Sequence, residues 1–129
     1  MKIGEIIKSA DWKTEKHVPA IGAPEKVKAG EKFEVKVCVG KEIGHPNTTE
    51  HHISWIQLYF KPAEGAAYEI GKISFNAHGE SAKGANQGSA YTEPFGAFTL
   101  KIAESGELLA AAYCNIHGLW ESSAAITVG

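Results

Sequence analysis

Residues 31–39 of this chain read EKFEVKVCV, and this stretch decides the fold class. Every second side chain from Phe33 to Val39 is apolar, and the residues between them are Glu, Lys and Cys. Such a period of two predicts a β-strand with one face buried and the other face solvated. Strands of this kind are typical of antiparallel sheets that cover a core on one side only.

Further apolar and aromatic runs follow this strand, and turn sequences rich in Gly, Pro and Ser separate them. We predict strands over residues 53–60, 68–75, 95–102, 107–113 and 124–128. Short strands at this spacing predict an all-β fold, an immunoglobulin-like antiparallel β-sandwich or barrel of about seven strands. Residues 2–13 are expected to add one short helical turn, while residues 76–92 lack a usable period and predict a long loop.

Length and charge limit the organisation and the partners of the chain. Its 129 residues predict a single domain over residues 1–129. The net charge of −2, without a run of basic residues, argues against a nucleic-acid partner. Charged residues interrupt every short apolar run near the N-terminus, so we expect neither a signal sequence nor a membrane span. A cytoplasmic location is therefore expected, and its reducing environment would keep the two cysteines, which lie in different segments, as thiols.

One thiol and four imidazoles stand out as candidate metal ligands: Cys114, His117, His45, His51 and His17. A structural zinc site closes at four ligands and usually takes several thiolates, so zinc fits this set poorly. Type 1 copper combines two His and one Cys with a weak axial ligand that is usually Met. The only methionine is Met1, although other axial groups are known, so copper stays open as an alternative to iron.

Three segments resemble the iron-site segments of superoxide reductases, read here as EKHVP (residues 15–19), HPNTTEHH (residues 45–52) and CNIHGLWE (residues 114–121). The resemblance runs from about residue 10 to the C-terminus. It is closest to the one-domain form of the family, called neelaredoxin, because no Cys-rich segment precedes these motifs. The resemblance implies one mononuclear iron centre per chain.

The resemblance also assigns a role to each candidate residue. It implies that His17, His45, His51 and His117 are the in-plane nitrogen ligands and that Cys114 is the axial thiolate. Glu15 would take the sixth position in the ferric state, and Lys16 would be the charged residue beside the open face. The implied reaction is the reduction of superoxide to hydrogen peroxide. A rubredoxin-like electron donor and a homotetramer are implied as well.

The predicted strands can be tested against this ligand set. Alternation along residues 108–114 places Cys114 on the same face as apolar residues, where a buried sulfur is expected. A turn through Asn115 and Ile116 would return His117 to the same metal, and the two backbone amides of that turn are expected to point at the sulfur. Of the adjacent His51 and His52, only one can face the site, since side chains alternate across a strand.

Three other residues are predicted to lie outside the site or to lack a catalytic role. The family pattern selects His51, so His52 is expected to point away. His78 lies in a Gly-rich loop without a paired ligand, and Cys38 is predicted to be an ordinary strand residue.

Other functions remain open at this stage. A superoxide dismutase would use the same site but would release dioxygen and need no electron donor. A cupredoxin-like copper electron carrier would turn over no substrate. An immunoglobulin-like interaction module would carry these histidines only incidentally.

Overall fold

The computed structural model describes all residues, 1–129, and is almost entirely β-structure. A single 3₁₀ turn, Ile3–Glu5, is the only helical element, and it contains no buried residue. The eight strands are β1 (Pro19–Gly22), β2 (Lys26–Val27), β3 (Phe33–Val39), β4 (Ile53–Pro62), β5 (Tyr68–Ser74), β6 (Phe95–Leu100), β7 (Gly106–Cys114) and β8 (Gly118–Val128). The chain contains no helix that is long and apolar enough to cross a lipid bilayer.

The strands form two sheets that face each other across one core. The smaller sheet has the order β1-β3-β6, and the larger has the order β2-β8-β7-β4-β5. All pairings are antiparallel except the short parallel contact between β2 and β8. The predicted immunoglobulin-like antiparallel sandwich is therefore confirmed.

The core lies between the two sheets and follows the alternation of the sequence. Val35, Val37 and Val39 of β3 are at most 2% exposed, whereas Glu34 and Lys36 between them face solvent. Ile56 of β4 and Leu108 of β7 meet them from the larger sheet and are fully buried. Burying one such side chain stabilises the fold by about 1.5–3 kcal/mol, which is why the period of two determines this architecture.

The structure differs from the predicted elements at three strands, β1, β2 and β8, and agrees with the predicted long loop. Two short strands, β1 and β2, were not predicted. β1 begins with Pro and ends with Gly, β2 has only two residues, and each gains its partner only through the tertiary fold. Strand β8 begins at Gly118 rather than at residue 124, since its first half pairs with β7 although it carries Glu and Ser. The long loop over residues 76–92 contains no strand and makes one bridge, between His78 and Tyr91.

One end of the sandwich collects every candidate ligand. Ile53 at the start of β4 pairs with Cys114 at the end of β7, and Gly118 at the start of β8 pairs with the same cysteine. In the smaller sheet, Pro19 at the start of β1 pairs with Val39 at the end of β3. Residues just outside these strand ends, which include all the predicted histidine ligands, therefore meet at this end.

Candidate metal centre

Cys114 is the last residue of β7 and forms the buried floor of the cluster. Its side chain is 0% exposed, and it continues the buried face that includes Ala110 and Ala112. A three-residue turn follows and ends at Gly118, whose φ of +83° favours glycine. This turn brings the ring of His117 back over the sulfur, with Nδ1 of His117 3.7 Å from Sγ of Cys114.

The hydrogen bonding of the sulfur differs from the expected pattern. The N–H of His117 donates to Sγ of Cys114 at 3.3 Å. The N–H of Asn115, which was expected to point at the sulfur, donates instead to the carbonyl oxygen of His52 at 3.2 Å. Asn115 continues the contact between β7 and the segment before β4, so its amide points toward that segment and away from Sγ.

Nδ1 of His117 is the central nitrogen of the cluster. It lies 3.0 Å from Nε2 of His17 and 3.2 Å from Nε2 of His51. One ring nitrogen carries either a single proton or a single lone pair, so hydrogen bonds alone do not satisfy both neighbours and the sulfur. Two nitrogens that each lie about 2.1 Å from one metal, at a right angle, are about 3.0 Å apart, which matches these spacings.

His45 completes the group from the loop after β3. The ligand atoms of His17, His45, His51 and Cys114 all lie within 4.8 Å of one another. Nδ1–H of His45 donates to the carbonyl oxygen of Pro46 at 2.6 Å, which leaves Nε2 as the acceptor. That Nε2 is buried and has no hydrogen-bond partner. A buried acceptor without a partner is costly, and a metal cation bound by the lone pair removes this cost.

Gly40 allows the tight turn that positions His45. Its φ is +82°, and a Cβ at this residue would lie 2.4 Å from the backbone nitrogen of His45. Only glycine fits this close approach, so the tight turn after β3 depends on Gly40. The turn returns the chain toward the site, and His45 is 8% exposed there.

Burial keeps the imidazoles in the form that binds metals. It lowers the pKa of His45 to about 4 and also lowers the pKa of His17 and His51. The charge of Lys16 contributes in the same direction at all three rings. These side chains are therefore neutral at pH 7, and a neutral imidazole is the ligand form of histidine.

The cluster is closed on one side and open on the other. His17, His45 and Cys114 are buried, His51 is half-buried and His117 is exposed. A small molecule can therefore approach from the side of His51 and His117. Four ring nitrogens and one sulfur, with an accessible side, fit a five-ligand metal site that retains one open position.

Glu15 and Lys16 lie beside the cluster. Oε1 of Glu15 is 2.5 Å from Nδ1 of His17, and this hydrogen bond lowers the pKa of the carboxyl. Glu15 thus orients His17 in this structure, a role that sequence reasoning did not assign. Its ligation in the ferric state and the role of Lys16, which is half-buried, remain predictions.

Trp120 is a further residue that sequence reasoning missed. Its indole stacks on the imidazole of His17, with ring centroids 5.1 Å apart and planes 16° apart. Its Nε1–H donates to the carbonyl oxygen of His117 at 3.2 Å. Trp120 supports one ring by packing and the other through the backbone, and only its position shortly after the Cys-x-x-His motif could have indicated this.

The remaining candidates lie away from the ligand atoms. His52 bonds the carbonyl oxygen of Thr48 through Nδ1 at 2.9 Å and stacks on His78, with centroids 3.6 Å apart. Nε2 of His78 donates to the carbonyl oxygen of Phe75. Cys38 is a free thiol on β3 whose pKa is raised by burial, which disfavours a reactive thiolate.

Comparisons with known proteins identify the family. A family model described as desulfoferrodoxin matches residues 9–123. The chain belongs to the desulfoferrodoxin family. Among its relatives, the neelaredoxin of Megalodesulfovibrio gigas is 55% identical over 129 residues, which cover 99% of each chain. The superoxide reductase of Pyrococcus furiosus is 56% identical over 121 residues, which cover 93% of this chain and 95% of the relative.

Solved structures of desulfoferrodoxin-family proteins share the fold. The superoxide reductase (neelaredoxin) of Archaeoglobus fulgidus in its reduced form superposes with a TM-score of 0.88 at 49% identity. The match covers 95% of this chain and 99% of that one. The superoxide reductase (neelaredoxin) of Ignicoccus hospitalis gives a TM-score of 0.80 at 38% identity and covers both chains completely. The family resemblance stated from the sequence motifs is confirmed.

Proposed function

We propose that this chain is a superoxide reductase that reduces superoxide to hydrogen peroxide at a mononuclear iron centre. The observation that carries this proposal is the convergence of one buried thiol and four imidazoles at one end of the sandwich. Family membership supports it, because relatives at more than half identity are named superoxide reductases.

The proposed iron ligands are His17, His45, His51 and His117 with Cys114. When bound there, iron supplies the single electron that superoxide needs, and a sulfur donor favours transfer of that electron to the substrate. The unpartnered Nε2 of His45 and the spacings around His117 support a metal at this position.

The surrounding residues tune this donor set. The N–H of His117 donates a hydrogen bond to Sγ of Cys114 and so fixes the orientation of the sulfur. Such a bond also withdraws electron density from the sulfur and so raises the reduction potential of the site. Glu15 holds His17 in the tautomer that presents Nε2 to the cluster.

Lys16 and Glu15 are proposed to act on the small anions that enter and leave. Lys16, whose charge acts on His17, His45 and His51, would lie beside the open side and attract superoxide before the reaction. Protons for the product would come from water, since His51 and His117 border solvent. Glu15 would bind the oxidised centre and help to release peroxide, which requires it to leave Nδ1 of His17.

The geometry favours this function over the two metalloprotein alternatives. A copper electron carrier of the type 1 kind needs three strong ligands and a weak axial ligand, whereas five strong donors meet here. Met1, the only methionine, is fully exposed in the N-terminal segment. A dismutase would need the site to oxidise superoxide as well as to reduce it, and a thiolate donor favours the reducing half of that cycle.

Partners, organisation and location extend the proposal. We propose a rubredoxin-like electron donor, a homotetramer and a single domain over residues 1–129, the last supported by one continuous core cluster of 17 buried residues. We also propose a cytoplasmic location. Two free cysteines support it, because an oxidising compartment would favour oxidation of the thiol of Cys114.

The deciding experiment is an anaerobic pulse of superoxide on the reduced iron protein, with peroxide and dioxygen measured together. A reductase yields one peroxide per iron oxidised and no dioxygen beyond that from spontaneous dismutation in a protein-free control. Dioxygen formed by the protein in proportion to peroxide would move the assignment to a dismutase. Copper rather than iron in the purified protein would overturn the iron site.

A further inference from the structure

The side chain of Asn115 connects the two segments that carry Cys114 and His51. Its Oδ1 accepts the N–H of His52 at 2.8 Å, and its Nδ2 donates to the carbonyl oxygen of Glu50 at 2.8 Å. These two groups belong to the peptide units on either side of His51. One amide side chain therefore holds both peptides that flank this candidate ligand.

The backbone of Asn115 adds a third bond to the same segment. Its N–H donates to the carbonyl oxygen of His52 at 3.2 Å. Because Asn115 directly follows Cys114, the three hydrogen bonds set the position of His51 relative to the sulfur. The bonds join residues 63 and 65 positions apart in the sequence, so they are tertiary contacts rather than local turn contacts.

Hydrogen bonds within its own loop also hold the backbone of His51, but they do not tie that loop to the segment of Cys114. It lies before the start of β4, so no strand pairing holds its peptide groups. Its N–H donates to the side chain of Thr48, and its carbonyl oxygen accepts the N–H and the hydroxyl of the same residue. Its ring is half-buried, whereas His17 and His45 are buried and packed. A half-exposed ligand on a loop depends on hydrogen bonds of its backbone for a defined position.

We infer that Asn115 is a positioning residue that holds His51 in place for metal binding through the two peptide bonds beside it. This inference rests on the proposed metal site, since it concerns the affinity of that site. Asn115 does not contact the ligand atoms, so its effect must pass through His51. Residues that orient a ligand in this way typically change metal affinity by about 10- to 100-fold.

The test is a double-mutant cycle on the metal-free protein, titrated anaerobically with Co²⁺ as the probe. Its members are the wild type, N115A, H51A and the double variant N115A/H51A, and N76A at an exposed asparagine is the matched control. We expect N115A to weaken Co²⁺ binding by about 10- to 100-fold when His51 is present. In the H51A background the same change should weaken binding by no more than about twofold.

A second readout needs no metal. In the metal-free protein, N115A should accelerate hydrogen exchange at the amide of His52, whose acceptor it removes, and N76A should not. If N115A does not fold without metal, N115D keeps the shape and the acceptor for His52 but cannot donate to Glu50. N115D then replaces N115A in the double-mutant cycle. We again expect a larger loss of Co²⁺ affinity when His51 is present than in the H51A background.

The outcomes separate the inference from the proposed function. An equal loss of Co²⁺ affinity in both backgrounds, or no loss in either, overturns the positioning role of Asn115. If H51A binds Co²⁺ as tightly as the wild type does, the metal site itself is wrong. A weakened H51A with an unaffected N115A leaves the metal site intact and rejects only the role of Asn115.

Discussion

The carboxylate of Glu15 accepts a hydrogen bond from the ring nitrogen of His17 that points away from the other histidines. Oε1 of Glu15 lies 2.5 Å from Nδ1 of His17 and 3.1 Å from the backbone nitrogen of the same residue. Because Nδ1–H is occupied in this way, Nε2 of His17 is the nitrogen that faces the cluster. A residue that the family resemblance assigns to the sixth iron position is therefore also the residue that orients His17, the first of the proposed histidine ligands.

Replacement of Glu15 by Ala should produce two separable effects. Loss of the hydrogen bond to His17 should weaken iron binding by about tenfold. Loss of the proposed sixth ligand should shift the absorption spectrum of the ferric protein while turnover with superoxide is retained. Glu64→Ala, which removes the same charge from an exposed loop, is the control. A ferric spectrum that does not change would reject the ligand role.

Replacement of Lys16 by Ala should slow the reaction with superoxide. Removing one positive charge from the open side should lower the second-order rate constant by about threefold to tenfold at low ionic strength. The difference should shrink as salt is added, because salt screens charges. Pulse radiolysis at several ionic strengths measures both effects.

Lys101→Ala is the matched control for this prediction. Lys101 is exposed and directly follows β6, whose last residue Leu100 pairs with Phe33 at the start of β3, at the opposite end of the sandwich. Both variants change the net charge equally, so only position distinguishes them. Equal rate losses in the two variants would contradict a local steering role for Lys16.

The two cysteines should respond differently to replacement by Ser. Cys114→Ser removes the sulfur from the cluster, so the thiolate-to-metal charge-transfer absorption should vanish and metal affinity should fall by about tenfold or more. Cys38→Ser alters a half-buried thiol on β3 and should leave the absorption unchanged. Optical spectra of the iron-loaded variants decide this prediction, and a band that survives in Cys114→Ser would refute the sulfur ligand.

Acid should destabilise the metal-free protein through His45. Its pKa falls from 6.5 in the unfolded chain to about 4 in the fold, because the charged ring would be buried. The unfolded chain therefore binds more protons between these values, so stability is complete above pH 6.5 and declines as the pH falls toward 4. Protonation of His45 should lower the free energy of unfolding by about 3 kcal/mol as the pH falls across this range.

The check compares urea unfolding of the wild type and His45→Gln across that pH range. The variant should lose less stability on acidification, since the titrating ring is gone, although His17 and His51 still contribute. If both proteins show the same dependence on pH, the buried ring of His45 is not the cause.

Much of the fold was predictable because the strand pattern is local. Alternation over residues 31–39 already identified the buried face of β3, and β4 and β7 of the larger sheet also followed from apolar runs. The short strands β1 and β2 were not predictable, because a strand of two to four residues owes its existence to its partner. Each of them lies at the edge of its sheet, where it has a single neighbouring strand.

The sequence by itself determined the sandwich, because the hydrophobic period belongs to the residues themselves. Its resemblance to the iron-site motifs of the family proposed which five side chains form the site. Only the tertiary structure decided that His117 presents Nδ1, that Trp120 stacks on His17 and that Asn115 holds the peptides beside His51. These facts depend on contacts between segments up to about a hundred residues apart. Such contacts exist only after two sheets have packed and brought their strand ends together at one end of the core.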